Sequence, residues 1–444
     1  MQQKIIIIGA GVAGLTAAVN LAGSGYPVSV LEARPNIGGR MFSVRDNVSG
    51  EMIDNGQHLL SAAYSEFLSV LEKLGTSVYL KRTKGLSINF ADVQGRNYSL
   101  NTSLFRGNSG VLAGLLKFNA LSFASKLNLI SFFLKLKTKK LKFDDLSCFD
   151  LFKREHQSDE VIKIFWEPLT LAVLNNNPRN VAASLLVEVL ERAFFAGGGA
   201  SELLLPLIDL SALLQPAFQW LERNGGEIKL RTKVRKIIIE DGKACGVELQ
   251  NDEKISADSI ISTVPPHILM KLLPENEKLI QNLSDFEYST IINVYYWLDK
   301  HIETPDFTAL IGTNSQWLFN RRNFVAVDGE IRQKYPGMIN ITISGANSLA
   351  DMPSEIIADE CFSELKQCIP AFAGCQILHS RVIKDKLATV SLDTAAERRR
   401  PGAESGVKGL YLAGDWTNTK LPATIESAAI SGKKAADYVI KQHI

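Results

Sequence analysis

Four consecutive isoleucines, Ile5–Ile8, stand at the head of an uncharged stretch that runs from Lys4 to Glu32. Taken as a block, it has the hydropathy of a membrane span or a secretory leader. Its internal punctuation predicts something else. Ile5–Ile8 is a β-branched run suited to a buried parallel strand. The turn Gly9-Ala10-Gly11-Val12-Ala13-Gly14 follows, and 15–22 reads as a helix. Gly25-Tyr26-Pro27 breaks that helix, and Val28–Leu31 is a second strand that stops at Glu32. Far along the chain, Gly409-Leu410-Tyr411-Leu412-Ala413 predicts a strand ending at Gly414-Asp415, with a helix over 424–440. Between these ends, 229–240 reads as strand pairs around Thr232-Lys233-Val234-Arg235.

The opening pattern is the strand–turn–helix–strand of a Rossmann unit, with G-x-G-x-x-G in its turn and an acidic residue after its second strand. Gly9 allows the tight turn, Gly11 lets the backbone approach a pyrophosphate, and Gly14 allows close helix–strand packing. The helix start, with Val12 and Ala13, offers free N–H groups and a positive dipole end to the phosphates. Glu32, followed by Ala33, is placed to accept hydrogen bonds from an adenosine ribose. One such fingerprint occurs in the chain, so a built-in NAD(P)H domain is not expected.

Just downstream, Pro35-Asn36-Ile37-Gly38-Gly39-Arg40 resembles the Gly-Gly-Arg element of FAD enzymes in the amine oxidase and phytoene desaturase superfamily. The resemblance implies FAD as cofactor. Gly38 and Gly39 would let the chain pass close to it, and Arg40 would neutralise pyrophosphate charge. The Gly414-Asp415 end is similar to the superfamily's contact with the ribityl and pyrophosphate region. Thr424 and Ile425 would then present a helix N-terminus to the flavin ring, where a helix dipole stabilises negative charge. Glu426 reads either as a carboxylate of that helix's first turn or as a catalytic group. By the same resemblance, 258–266 is a return strand and the backbone of Val234 meets the adenine. The fold class expected is α/β (α+β overall). A Rossmann-type FAD-binding domain is assembled from 1–84, 216–266 and 396–444. An inserted mixed α/β substrate domain takes 85–215 and 267–395.

Ile53-Asp54-Asn55-Gly56-Gln57-His58-Leu59-Leu60 sharpens the resemblance. It is similar to the hydroxysqualene dehydroxylases, squalene-associated FAD enzymes. The run from Phe165-Trp166-Glu167-Pro168-Leu169 to Asn175, the Leu-rich 201–206, and 413–426 resemble the same family. That family reduces hydroxysqualene to squalene with loss of water, and its members imply an apolar C30 isoprenoid substrate and an external electron donor. Gly56, Gln57 and His58 would lie at the flavin. Hydroxide leaves poorly, so a proton donor helps, and an apolar tunnel would keep water from an allylic cation. His58 is the candidate acid or flavin contact. Asp54 and Glu167 are weaker acid candidates, each also readable as a hydrogen-bonded structural carboxylate. Trp166 and Trp416 read as packing. The principal alternative is a carotenoid-type desaturase, with the same fold and the electrons running the other way. An amine or porphyrinogen oxidase matches the 54–60 and 166–175 segments less well. An isoprenoid carrier like the GDP-dissociation inhibitors need not keep the flavin residues present here.

Composition narrows the class further. A chain of 444 residues with 46% hydrophobic and 22% charged residues has material for two or three cored domains, not for a disordered or disulfide-stapled chain. Lys+Arg 49 against Asp+Glu 47 argues against bulk nucleic-acid binding. The balance hides an asymmetry. The stretch 93–143 carries nine basic residues and no acidic one, interleaved with Leu, Ile and Phe. Such a mixture suits a bilayer interface, while the gap between Lys126 and Lys135 is too short for a span. The expectation is a cytoplasmic protein lying peripherally on the inner membrane face. The competing reading is a core helix with a solvated basic face. The five cysteines lack C-x-x-C spacing and read as reduced thiols. His156, His267, His301, His379 and His443 show no ligand spacing, so no metal is expected.

Overall fold

A computed structural model describes residues 3–102, 108–195, 197, 199–274 and 278–442; Arg106 and His443 lie outside the described residues. The two apolar runs read at the N-terminus form the middle of a five-stranded parallel sheet. Its order is Glu227–Lys229, Val28–Leu31, Ile5–Ile8, Ser259–Ser262, Leu410–Leu412. Ile5–Ile8 is buried along its whole length, which explains the absence of alternation in its sequence. The first helix is Val12–Gly23, three residues longer at its start than the periodicity predicts. Gly11 supplies its N-cap in an extended conformation, so the helix begins inside the glycine turn. The final helix, Ile425–Lys441, lies across it at Gly432. A Cβ there would sit 2.1 Å from the Ala13 carbonyl oxygen, so only glycine admits this approach.

The 229–240 segment is split. Glu227–Lys229 joins the parallel sheet, whereas Val234–Glu240 opens a three-stranded antiparallel sheet with Lys243–Leu249 and Lys254–Ser256. Arg231, at φ 53, turns the chain between them. A strand at Leu203–Pro206 pairs with Leu60–Ser61 and Leu80–Arg82, and Leu210–Leu214 shares the core of Ile5, Ile7 and Leu15.

A seven-stranded sheet stands opposite, in the order Ile377–Val390, Tyr288–Leu298, Gly337–Ile343, Trp317–Asn320, Phe307–Ile311, Ser87–Asp92, Asn97–Asn101. Strand Tyr288–Leu298 shows how it divides the molecule. Ile292, Val294, Tyr296 and Leu298 enter one core with helix Ser354–Cys368. The alternating positions Asn293, Tyr295 and Trp297 face the chain at 51–55, through bonds to Asn55, Asp54 and Glu51. Helices between 108 and 195 form a further layer around Phe132, Phe133, Phe152, Phe165 and Trp166. Among the described residues, no helix is long and apolar enough to cross a membrane.

Candidate active site

All the glycine signals converge on one crevice, at the carboxyl ends of the parallel strands. Gly9 follows Ile8 with φ +102, which a side chain rarely adopts, and donates its N–H to the Leu31 carbonyl at 2.9 Å. A Cβ on Gly14 would stand 2.0 Å from the Gly9 oxygen, so helix and turn touch through bare backbone. Gly11 differs. A Cβ there would meet no neighbour closer than Gly39 Cα, at 3.8 Å. The Gly38 N–H bonds the Ala10 carbonyl at 2.8 Å, and Gly11 bridges Gly38 in parallel register, so the Gly38-Gly39 turn lies beside the first. Thr263 locks the base, its hydroxyl within donating distance of the Ile8 and Gly9 oxygens at 2.9 and 3.1 Å. Val12 and Ala13 are buried in the helix that leaves the turn.

Glu32 stands where the second strand ends beside the glycine turn. Its carboxylate accepts the Ala10 N–H at 2.7 Å and the Arg34 N–H at 2.8 Å, which leaves each oxygen a further lone pair. Ala33 is exposed beside it. The Thr232 N–H reaches the Glu32 carbonyl at 2.8 Å, carrying Val234 to the same flank, where Val234 is buried against Leu249.

Arg40 is engaged within the chain. Its Nη2 meets Asp415 Oδ1 at 2.6 Å and its Nη1 donates to the Ala388 carbonyl at 2.6 Å. Burial works against its charge, yet Asp415 holds its pKa above the ordinary value. Arg40 therefore ties the two ends of the chain together at the crevice. Gly414 places its N–H on the Ser431 hydroxyl at 2.7 Å, and Trp416 packs over it while donating to the Val264 carbonyl. Arg400, fully buried, gathers the loop by donating to the carbonyls of Asp415, Trp416, Thr417 and Leu421. Thr424 caps helix Ile425–Lys441 by accepting the Ser427 N–H. Glu426 is in the first turn, as one reading had it, but its oxygens accept from the Ser65 hydroxyl and from the N–H groups of Glu66 and Phe67. It caps the neighbouring helix Ser65–Leu74 and is not directed at chemistry.

The 54–58 loop is the most polar buried part of the site. Asp54 spends its oxygens on the Ser43 hydroxyl at 2.7 Å, the Leu210 N–H at 2.9 Å and Arg321 Nη1 at 3.1 Å. This is the arrangement of a hydrogen-bonded structural carboxylate, the other of the two readings of Asp54. It is ion-paired and accepts three hydrogen bonds, and Tyr295 Oη donates to its backbone carbonyl. Arg321 Nη1 also donates to Gln57 Oε1 at 2.5 Å. Gln57 Nε2, Asn55 Oδ1 and Arg321 Nε are buried with no protein partner among the described residues. A Cβ on Gly56 would overlap the Asn293 amide at 2.4 Å, so this glycine serves the contact with the large sheet. His58 is half-buried, with Nδ1 2.7 Å from the Gly56 carbonyl. Burial pushes its pKa down, against the pull of that carbonyl and of Asp54. A neutral ring donates from Nδ1 and leaves Nε2 as an acceptor. Glu167 lies half-buried in the first turn of helix Glu167–Leu174, and Trp166 is packing: fully buried and stacked on Phe152.

These features fit a dinucleotide with a flavin at its end: a turn with room beside Gly11, an acidic residue for a ribose, and a buried donor and acceptor left over at Gln57 and Asn55. Residues 12–440 match the family model described as flavin containing amine oxidoreductase. The chain belongs to this family. Among curated relatives, a hydroxysqualene dehydroxylase of Rhodopseudomonas palustris is 29% identical over 99% of both chains. A 15-cis-phytoene desaturase of Solanum lycopersicum is 25% identical over 99% of this chain and 78% of its own. An oxidoreductase of Methanosarcina mazei shares the fold with a TM-score of 0.74 at 18% identity, covering 99% of this chain and 100% of that one. As a flavin containing amine oxidoreductase, the protein is an FAD-dependent oxidoreductase of α/β architecture. Among the described residues, no cluster of His, Cys, Asp and Glu could hold a metal ion.

Three side chains that hold the crevice together carry no motif of their own in the sequence. Arg321 and Arg400 occur in runs of arginine that read as solvated surface, yet both are buried. Thr263 precedes Val264-Pro265-Pro266 with no motif of its own. Only tertiary structure brings these three to the crevice.

Proposed function

We propose that the protein reduces hydroxysqualene to squalene with release of water. The observation that carries this reading is the likeness, along the whole chain, to the hydroxysqualene dehydroxylase of Rhodopseudomonas palustris. The substrate gains a hydride at carbon and loses hydroxide, which takes up one proton and leaves as water. Reduced FAD, when bound, supplies the hydride. The crevice from Gly9 to Gly14, with Glu32, Gly38, Gly39 and Asp415, holds the dinucleotide end. Gln57 and Asn55, held by Arg321 and Asn293, offer a fixed donor and acceptor at the flavin end. His58 orients rather than donates: at neutral pH it is uncharged and its one N–H is spent on Gly56.

The test is anaerobic. Chemically reduced holoprotein mixed with hydroxysqualene gives squalene and the absorbance of oxidised flavin. Oxidised protein that instead desaturates phytoene, while reduced protein leaves hydroxysqualene untouched, establishes the second reading, to which the tomato desaturase likeness points. The pH profile assigns His58. As a positioning residue, His58→Ala weakens FAD retention and leaves the shape of the kcat profile unchanged. A proton-donor His58 would give a kcat that rises as pH falls below the ordinary imidazole value of 6.5, and its loss would cost about 10²–10⁴-fold in turnover with flavin retained.

A further inference from the structure

The basic segment resolves into distinct parts. Arg96 is paired with Asp92, and Lys135 with Glu155 at 2.6 Å. Lys117, Lys126, Lys137, Lys139 and Lys140 have no acidic partner among the described residues. They surround helix Phe123–Lys137, which has an unusual outer face. Its inner positions Leu129, Phe132, Phe133 and Leu136 are buried in the aromatic core. Its outer positions are apolar as well. Phe123 is 71% exposed, Leu127 49% and Leu134 48%, and Leu116 of the preceding helix is 48% exposed. At roughly 100° per residue, Phe123, Leu127, Ser131 and Leu134 fall within about 80° of arc, and Lys126 and Lys137 border that stripe on one side. A helix apolar on both sides finds no suitable solvent in water.

We infer that this outer face docks on an anionic lipid bilayer, lying in the plane of the interface with Phe123, Leu127 and Leu134 among the upper acyl chains. Charge chooses the occupant. Unpaired lysines bordering an apolar stripe complement anionic headgroups. A symmetric second copy would bring each lysine set against its own image, because a two-fold interface joins one patch to itself. Two acidic groups beside the helix are engaged: Glu160 accepts from the Ser122 N–H and hydroxyl, and Glu155 holds Lys135. The aromatic core packs directly beneath the docked face, so the helix is held as a rigid support for it. This surface stands independently of which isoprenoid reaction the protein performs.

The experiment uses FAD-loaded protein and vesicles of phosphatidylcholine, with and without phosphatidylglycerol. Wild type sediments with the anionic vesicles and is released by salt, as screened attraction requires. The triple variant Phe123→Ser, Leu127→Ser, Leu134→Ser loses binding by about tenfold or more. Lys117→Gln, Lys126→Gln, Lys137→Gln removes the preference for phosphatidylglycerol. Val78→Ser, at an equally exposed valine elsewhere, binds as wild type. All variants keep the flavin spectrum, since every substituted side chain is peripheral. Equal sedimentation of the two triple variants and wild type overturns the assignment, as does a wild type that ignores both kinds of vesicle. Self-association of wild type that both triples abolish, without vesicle binding, assigns the face to a second copy instead.

Discussion

Purified Gly11→Val protein is expected to fold and to be colourless. The reason lies in the different surroundings of two glycines in one turn. A Cβ on Gly11 meets no atom nearer than Gly39 Cα at 3.8 Å, and its backbone is in an extended conformation open to any residue. The substitution costs the apoprotein little. It does occupy the path along which a pyrophosphate must approach the Val12 and Ala13 N–H groups. Two charge-assisted hydrogen bonds at ~1.5–3 kcal/mol each are then lost, or about 100-fold or more in FAD affinity. Gly14→Ala is the control with the opposite outcome. Its Cβ is forced to 2.0 Å from the Gly9 oxygen, so helix and turn must separate. Overpacking of this kind costs about 1–3 kcal/mol or more, and the variant loses stability together with flavin. Circular dichroism, thermal melting and the flavin-to-protein absorbance ratio check both. A yellow Gly11→Val protein with full flavin content would show that the pyrophosphate lies elsewhere.

What could be read from the chain follows a physical rule. The parallel strands Ile5–Ile8 and Val28–Leu31 and the glycine turn were legible because each is determined locally, by β-branched runs and by backbone that no side chain can occupy. The final helix was legible from its place after the Gly414-Asp415 strand end. The large sheet was not. Its strands from 87–101 and 288–390 are far apart in sequence, and Ser87–Asp92 lies parallel to Phe307–Ile311, a pairing no hairpin signal announces. The same distance hid the buried arginines. Arg321-Arg322 look like surface charge, because nothing local tells an arginine that its carboxylate partner will arrive from more than two hundred residues away, as Asp54 does for Arg321 and Glu51 for Arg322. Asp54 stood out for its place in a motif, and the motif did not disclose that its oxygens were already committed.

That commitment makes the second large effect predictable. Asp54→Asn is expected to lower stability and flavin retention together, before any question of turnover. Asp54 and Arg321 are each only 2% exposed at the side chain, and removing one charge leaves the other buried and unpaired. Breaking such a pair costs about 3–5 kcal/mol. Arg321→Met should cost about the same, and would also release Gln57, whose Oε1 is held by the same guanidinium nitrogen. Gln57 Nε2 would then lose its fixed direction, so the flavin midpoint potential should move in Arg321→Met protein that still binds FAD. Removing both charges, in Asp54→Leu with Arg321→Met, should recover much of the stability, because a matched apolar pair avoids the desolvation that each ion suffers alone. The recovered coupling is the measure of the bridge, read as a double-mutant cycle from denaturant midpoints. A proton-donating Asp54 predicts the reverse pattern: an Asp54→Asn protein with unchanged midpoint and full flavin, but turnover lost by about 10²–10⁴-fold. That result would return Asp54 to the chemistry and leave Arg321 as its positioning partner.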